Sequence, residues 1–162
     1  MLKQTVYIET TVLSYLTSRP SRDLLVAAHQ QVTVDWWENW MPLFEPFVSP
    51  LVIEEASRGD EVAARLRLEK IAGFPVLEIT DGVRRLADLY FETIQVPEKA
   101  RGDTYHLALA SFHGMDFLVT WNFGHILNPR VRTLVQTINT AQGISTPIIC
   151  TPEELMEVEH ED

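Results

Sequence analysis

Apolar positions along the chain fall into short unbroken runs that alternate with stretches of helical period. Residues 3–9 (KQTVYIE) place Val6, Tyr7 and Ile8 side by side, which predicts a buried strand. Residues 10–16 predict a short helix. Pro20 opens a longer one, with Ser18 and Ser21 as caps and Leu24, Leu25, Ala28, Val32, Trp36 and Trp40 at helical spacing, ended by Pro42 and Pro46. Residues 47–49 predict a second strand. Residues 50–58 follow as a helix with Pro50 in its first turn and Gly59 as its stop, and residues 61–72 as another helix ended by Gly73. Residues 76–79 (VLEI) predict a third strand, and Asp81 caps a helix with Val83, Leu86, Leu89 and Tyr90 on its apolar side, broken by Pro97. A helix over residues 103–112 then leads to a fourth strand at 116–120. Ile126, Leu134 and Ile138 mark a helix that follows Pro129, residues 147–150 a fifth strand, and residues 152–156 a last helix. Strands alternating with helices imply right-handed crossovers, hence a three-layer α/β/α sandwich around a central parallel five-stranded sheet.

Composition narrows the class without changing this picture. A chain of 162 residues is one domain's worth, and 46% hydrophobic residues exclude low-hydrophobicity disorder. Cys150 is the only cysteine, so no intramolecular disulfide is available and a reducing, cytoplasmic setting is expected. No run approaches the ~20 apolar residues a membrane helix needs, so no membrane partner is expected. Net charge is −10, and six of the 23 acids lie in the last ten residues. Residues 1–152 therefore carry 13 basic against 17 acidic groups and form the domain, with 153–162 as an acidic tail. A mildly acidic body argues against broad electrostatic binding of nucleic acid. It leaves room for a nuclease that meets phosphate through metal ions.

Ligands of open α/β sheets bind outside the carboxyl ends of the strands. Glu9 ends the first strand, Glu55 lies in the helix after the second, Asp103 opens the helix before the fourth, and Asn122 follows the fourth. The topology can bring all four to one rim. Three carboxylates meeting there repel one another and raise their pKa values, unless a divalent cation is shared between them. Oxygen ligands without clustered His or Cys select Mg²⁺ or Mn²⁺. Such a site suits phosphodiester hydrolysis. Each residue has a plainer role available: Glu9 as a helix cap, Glu55 on a solvated face beside Glu54, Asp103 as a cap after Gly102, and Asn122 in a turn. His106 shares a helix face with Asp103 and is expected to pack or support rather than ligate. Thr10, Thr11 and Thr120 are near the same rim, either capping or holding a water or phosphate. Arg19, Arg22, Arg58, Lys99 and Arg101 are candidates to meet phosphate. Trp36 and Trp40 share a face and are assigned to core or partner contact, with base stacking as the lesser alternative.

The segments VYIETTVLSYL, SPLVIEEASRGD and RGDTYHLALASFHGMDFLVTWN, in this order and spacing, resemble the PIN-domain family, and especially the VapC-type toxins of bacterial toxin–antitoxin pairs. The resemblance covers residues 5 to about 128. It implies a PIN-like nuclease domain over residues 1–152 and an endoribonuclease activity that depends on Mg²⁺ or Mn²⁺. It also implies an RNA substrate, a small antitoxin protein as partner, and a homodimer. Carried over by position, it assigns metal-binding and catalytic roles to Glu9, Glu55, Asp103 and Asn122. Two positions depart from the family pattern. Glu9 stands where Asp is usual and is one methylene longer, and Asn122 stands where Asp is frequent and offers a neutral oxygen. The competing reading is therefore a catalytically weakened PIN-like module that binds RNA or a protein without cutting. A phospho-acceptor receiver domain ranks lower, since the last strand, PIICT, carries no Lys.

Overall fold

The structure is a computed structural model, and it describes residues 2–156. Four short strands, β1 (Thr5–Ile8), β2 (Glu45–Phe47), β3 (Phe117–Val119) and β4 (Ile148–Cys150), form one sheet in the order β2-β1-β3-β4, with every pair parallel. All four carboxyl ends therefore share one edge. β1 is central, and its Val6, Tyr7 and Ile8 are each fully buried. Successive strand side chains point to opposite faces, so both faces of the sheet are covered. This is why the sequence shows an unbroken apolar run there rather than an alternating one.

The described residues form seven helices around the sheet: α1 (Thr10–Thr17), α2 (Leu24–Asn39), α3 (Pro50–Ala56), α4 (Glu61–Lys70), α5 (Asp81–Ile94), α6 (Arg101–Phe112) and α7 (Pro129–Ala141). α1 packs against α2, α3 and α4, while α5 packs against α6 and α7. The arrangement is α/β and compatible with three layers. No helix among the described residues is long and apolar enough to cross a membrane. At the amino edge of the sheet, Asp116 clamps the starts of β1 and β3. Its Oδ2 accepts from the Thr5 N–H (2.8 Å), and its own N–H donates to Thr5 Oγ1 (2.9 Å).

The expected five-stranded sheet has four strands among the described residues. Residues 76–79 contribute only an isolated parallel bridge between Val48 and Val76. β2 ends at Phe47, and Ser49 is already the N-cap of α3, so a single residue is left opposite. Thr80 takes up the other end of the segment as the N-cap of α5, a role the sequence suggested for Asp81. β2 includes Pro46, which lacks an N–H and is tolerated near the edge of a sheet.

α2 starts at Leu24 behind Asp23, whose carboxylate accepts from the Val26 N–H, and not at Pro20. That shift leaves Leu24 and Leu25 on the surface. Trp36 and Trp37 are buried, so base stacking by Trp36 is excluded. α6 starts at Arg101 with no side-chain cap, and Asp103 is its third residue rather than its opening. Residues 153–155 form a 3₁₀ turn with Leu155 buried, where a helix was expected. The rest of the acidic tail, 157–162, lies outside the described residues.

Cys150 ends β4 with 2% exposure, and burial is the main cause that pushes its thiol up to about 12. Since the thiolate is the reactive form, iodoacetamide at pH 8 is expected to leave the native protein unlabelled and to label it in urea. Mass spectrometry reads this directly, and fast native labelling would contradict it.

Candidate active site

Two strand ends supply the first half of the site. Glu9 follows β1 directly and is the N-cap of α1; its Oε2 accepts from the Thr11 N–H at 3.1 Å. Its Oε1 accepts from the hydroxyls of Thr11 (2.5 Å) and Thr120 (2.6 Å), the latter just past β3. The side chain is 3% exposed, and three donors meet the requirement that a buried carboxylate be satisfied. Capping and facing the site are thus both done by Glu9.

α3 supplies the second half. Its two adjacent acids are turned about 100° apart by the helix. Glu54 points to solvent and pairs with Arg58 at 2.8 Å. Glu55 points to the sheet edge, where its Oε1 accepts from Thr10 Oγ1 (2.8 Å) and His106 Nε2 (2.6 Å). Oε2 lies beside Gly102 at the start of α6, where a Cβ would stand 3.9 Å away. Glu9, Glu55 and His106 each bring one ligand-type atom within 4.8 Å of the others.

His106, on α6, is fully buried between Glu55 and Tyr7, whose hydroxyl lies 2.6 Å from Nδ1. The Tyr7 hydroxyl continues to Ser49 Oγ at 2.9 Å, and Ser49 accepts from the Val52 N–H as the cap of α3. A carboxylate only accepts, so the Nε2 proton of His106 stays on the Glu55 side in either ring charge state. With Nδ1 facing Tyr7, neither nitrogen has a lone pair aimed at the open site. His106 therefore holds Glu55 rather than a metal.

Electrostatics follow this pairing. Burial works against charge on His106, but the hydrogen bond it donates to Glu55 and the charges of Glu9, Glu55 and Asp103 win and raise its pKa. Burial likewise works against Glu55, yet the bond and charge of His106, with the Thr10 hydroxyl and Arg58, lower its pKa. Repulsion among carboxylates was expected to raise it. The imidazole beside it reverses the sign. Burial, opposed by the Ser49 bond, raises Tyr7 well above its ordinary value, so it remains a phenol.

Asp103 and Asn122 form a second group. Asp103 Oδ2 lies 3.0 Å from His125 Nδ1, and the His125 N–H donates to Asn122 Oδ1 at 3.0 Å. Asn122 is tied back to the first group, because its N–H donates to Thr120 Oγ1, which donates to Glu9. The four residues thus divide into Glu9 with Glu55, and Asp103 with Asn122. Thr120 bridges the two halves. Of the basic residues singled out in the sequence, Arg58 is paired with Glu54. Arg101 is held by Glu98 (2.9 Å), lies near Asp88 (3.6 Å) and sits over the Phe91 ring.

Tyr7, Ser49 and His125 were not visible as site residues. Tyr7 reads as one apolar member of a buried strand. Ser49 before Pro50 does carry a cap-and-first-turn signature. His125, three residues past Asn122, carries none.

Among the described residues, Glu55 Oε2 and Asp103 Oδ1 have no hydrogen-bond partner, and Glu9 Oε2 has one. A donor set dominated by carboxylate oxygens fits a hard cation such as Mg²⁺ or Mn²⁺. No protein-family model matches the chain, and no curated protein matches it.

Proposed function

We propose that this chain is a metal-dependent endoribonuclease of PIN type, the toxin of a toxin–antitoxin pair held in check by a small cytoplasmic antitoxin protein. The observation that carries the reading is the meeting of Glu9 and Glu55, 46 positions apart in the chain, at the carboxyl edge of a parallel sheet. Each carboxylate is fixed by hydroxyl donors and keeps acceptor capacity for a cation. Mg²⁺ or Mn²⁺ held there would supply an activated water and neutralise charge on the phosphodiester. Glu9 and Glu55 are the holding residues, with Asp103 and Asn122 completing the rim. Thr10, Thr11 and Thr120 set the carboxylate rotamers, and His106 fixes the orientation of Glu55 through its Nε2–H. Holding groups in place in this way is the protein's main contribution to phosphoryl chemistry.

The alternative, a module that binds without cutting, is favoured by one feature. Asp103 Oδ2 and Asn122 Oδ1 are already engaged by His125. One experiment separates the two. Purified protein is incubated with a pool of structured RNAs in Mn²⁺, in Mg²⁺ and in chelator. Cleavage in metal that stops in chelator is the expected result. Intact RNA under all three conditions, with the protein folded, rejects the nuclease reading.

A further inference from the structure

An aromatic stack beside the carboxylates has no part in holding them. His29, on α2, lies on the Trp121 ring at 4.2 Å between centroids and 18° between planes. Tyr15, on α1, flanks Trp121 at 5.7 Å. Phe123 closes the group at 5.9 Å from His29 and 6.1 Å from Trp121, and is 54% exposed. Trp121 is 4% exposed and fixed at both ends: its Nε1–H donates to Thr33 Oγ1 (2.8 Å) and its backbone N–H to Thr11 Oγ1 (2.9 Å). That same Thr11 hydroxyl donates to Glu9. One chain of hydrogen bonds therefore sets the distance between the stack and the carboxylate site. The turn that displays Phe123 also carries Asn122 and His125.

Resting on the nuclease reading, we infer that Phe123 is the exposed end of a stacking platform for one unpaired base of a single-stranded RNA, next to the phosphodiester presented to Glu9 and Glu55. The Phe123 ring is backed by His29 and Trp121 yet keeps more than half its surface open, and every nucleobase has a face that stacks on such a ring. The charge of the chain points the same way. Net charge is −10, and two of the five cations singled out in the sequence, Arg58 and Arg101, are engaged by acids, so phosphate attraction is a reduced source of affinity here. Stacking adds to it, with little preference among bases. A duplex keeps its bases within the helix and offers none to the platform.

Anisotropy of a short fluorescent single-stranded RNA, measured in chelator so that nothing is cut, tests this without relying on turnover. Phe123→Ala is expected to raise the dissociation constant about 5- to 150-fold, the equivalent of the ~1–3 kcal/mol of one base–aromatic stack. Phe123→Tyr, which keeps the ring, should stay within about twofold of wild type. The same sequence as a duplex should bind weakly and not respond to Phe123→Ala. Equal melting temperatures would show that the fold is untouched, as expected for an exposed side chain. The platform is overturned by an unchanged constant in Phe123→Ala, by an equal loss for duplex, or by no binding to wild type. It is overturned equally by loss of self-association with RNA binding intact, which would make Phe123 a protein contact. Cleavage in Mn²⁺ is scored separately. Phe123-dependent binding without cleavage keeps the platform and rejects the nuclease, and cleavage with an unchanged KM in Phe123→Ala does the reverse.

Discussion

Glu55→Gln is expected to leave the protein folded and to remove metal-dependent cleavage. The loss should exceed the ~10–100-fold that outer partners of metal ligands are worth. The geometry explains why fold and function separate at this residue. Glu55 Oε1 accepts from both Thr10 and His106, and an amide oxygen in the same place accepts from both as well. The amide nitrogen then takes the place of Oε2, the oxygen facing the open site beside Gly102. A carboxylate oxygen that attracts a cation becomes an N–H donor that repels it. Melting with and without Mn²⁺ reads the change independently of any substrate. At a metal concentration 100 times the dissociation constant, wild type should gain about 2.7 kcal/mol by mass action. For a domain of this size that is about 5–10 °C. Glu55→Gln should gain less than about 2 °C. Equal gains in both proteins would show that the cation binds elsewhere.

Much of the scaffold for this site was legible, because β1, β3 and β4 are short apolar runs bounded by helix signals and their sheet is parallel. Helical rotation lets only one of Glu54 and Glu55 face the site, and the motif register SPLVIEEA selects Glu55; Glu54 is the one that pairs with Arg58 in solvent, while Glu55 meets Thr10 and His106. Periodicity reports which face a residue occupies, however, and not which side chain it meets. The Tyr7–His106 bond spans 99 positions and the Tyr7–Ser49 bond 42, and no local pattern encodes either. The same limit applies to Asp103. Its sequence neighbours suit a helix start, but the 3₁₀ turn at Glu98–Ala100 begins the helical path earlier and leaves Asp103 free to face His125. The segment 76–79 failed for another reason. Its composition suits a strand, but a strand also needs a partner of equal length, and β2 gives way to the α3 cap after a few residues.

Loss of His106 should cost the metal-free protein heavily. It is fully buried and holds partners on both ring nitrogens, so His106→Ala opens a cavity, leaves the Tyr7 hydroxyl with Ser49 alone and takes one of the two donors from Glu55 Oε1. Together these are worth about 3–5 kcal/mol, a large share of the ~5–15 kcal/mol that holds a typical domain. A subtler substitution tests the charge rather than the packing. His106→Gln is also neutral at every pH but fills most of the space and can donate to Glu55. In the wild type the His106 pKa is raised by Glu55 and its neighbours, against the effect of burial. Its contribution to stability is therefore complete below the ordinary value of 6.5 and is lost as pH rises through the higher folded value. The Glu55 pKa is lowered, so its contribution is complete above 4.5 and is lost as pH falls through the lower folded value. The pair should thus stabilise the protein most between these limits and progressively less towards alkaline pH. Urea unfolding in chelator from about pH 4.5 to 8.5, subtracting His106→Gln from wild type, isolates this contribution, because the other titrating groups cancel. A difference that shrinks as pH rises past the ordinary histidine range is the expected result. A difference independent of pH would mean that His106 is neutral in the fold and holds Glu55 as a plain hydrogen-bond donor.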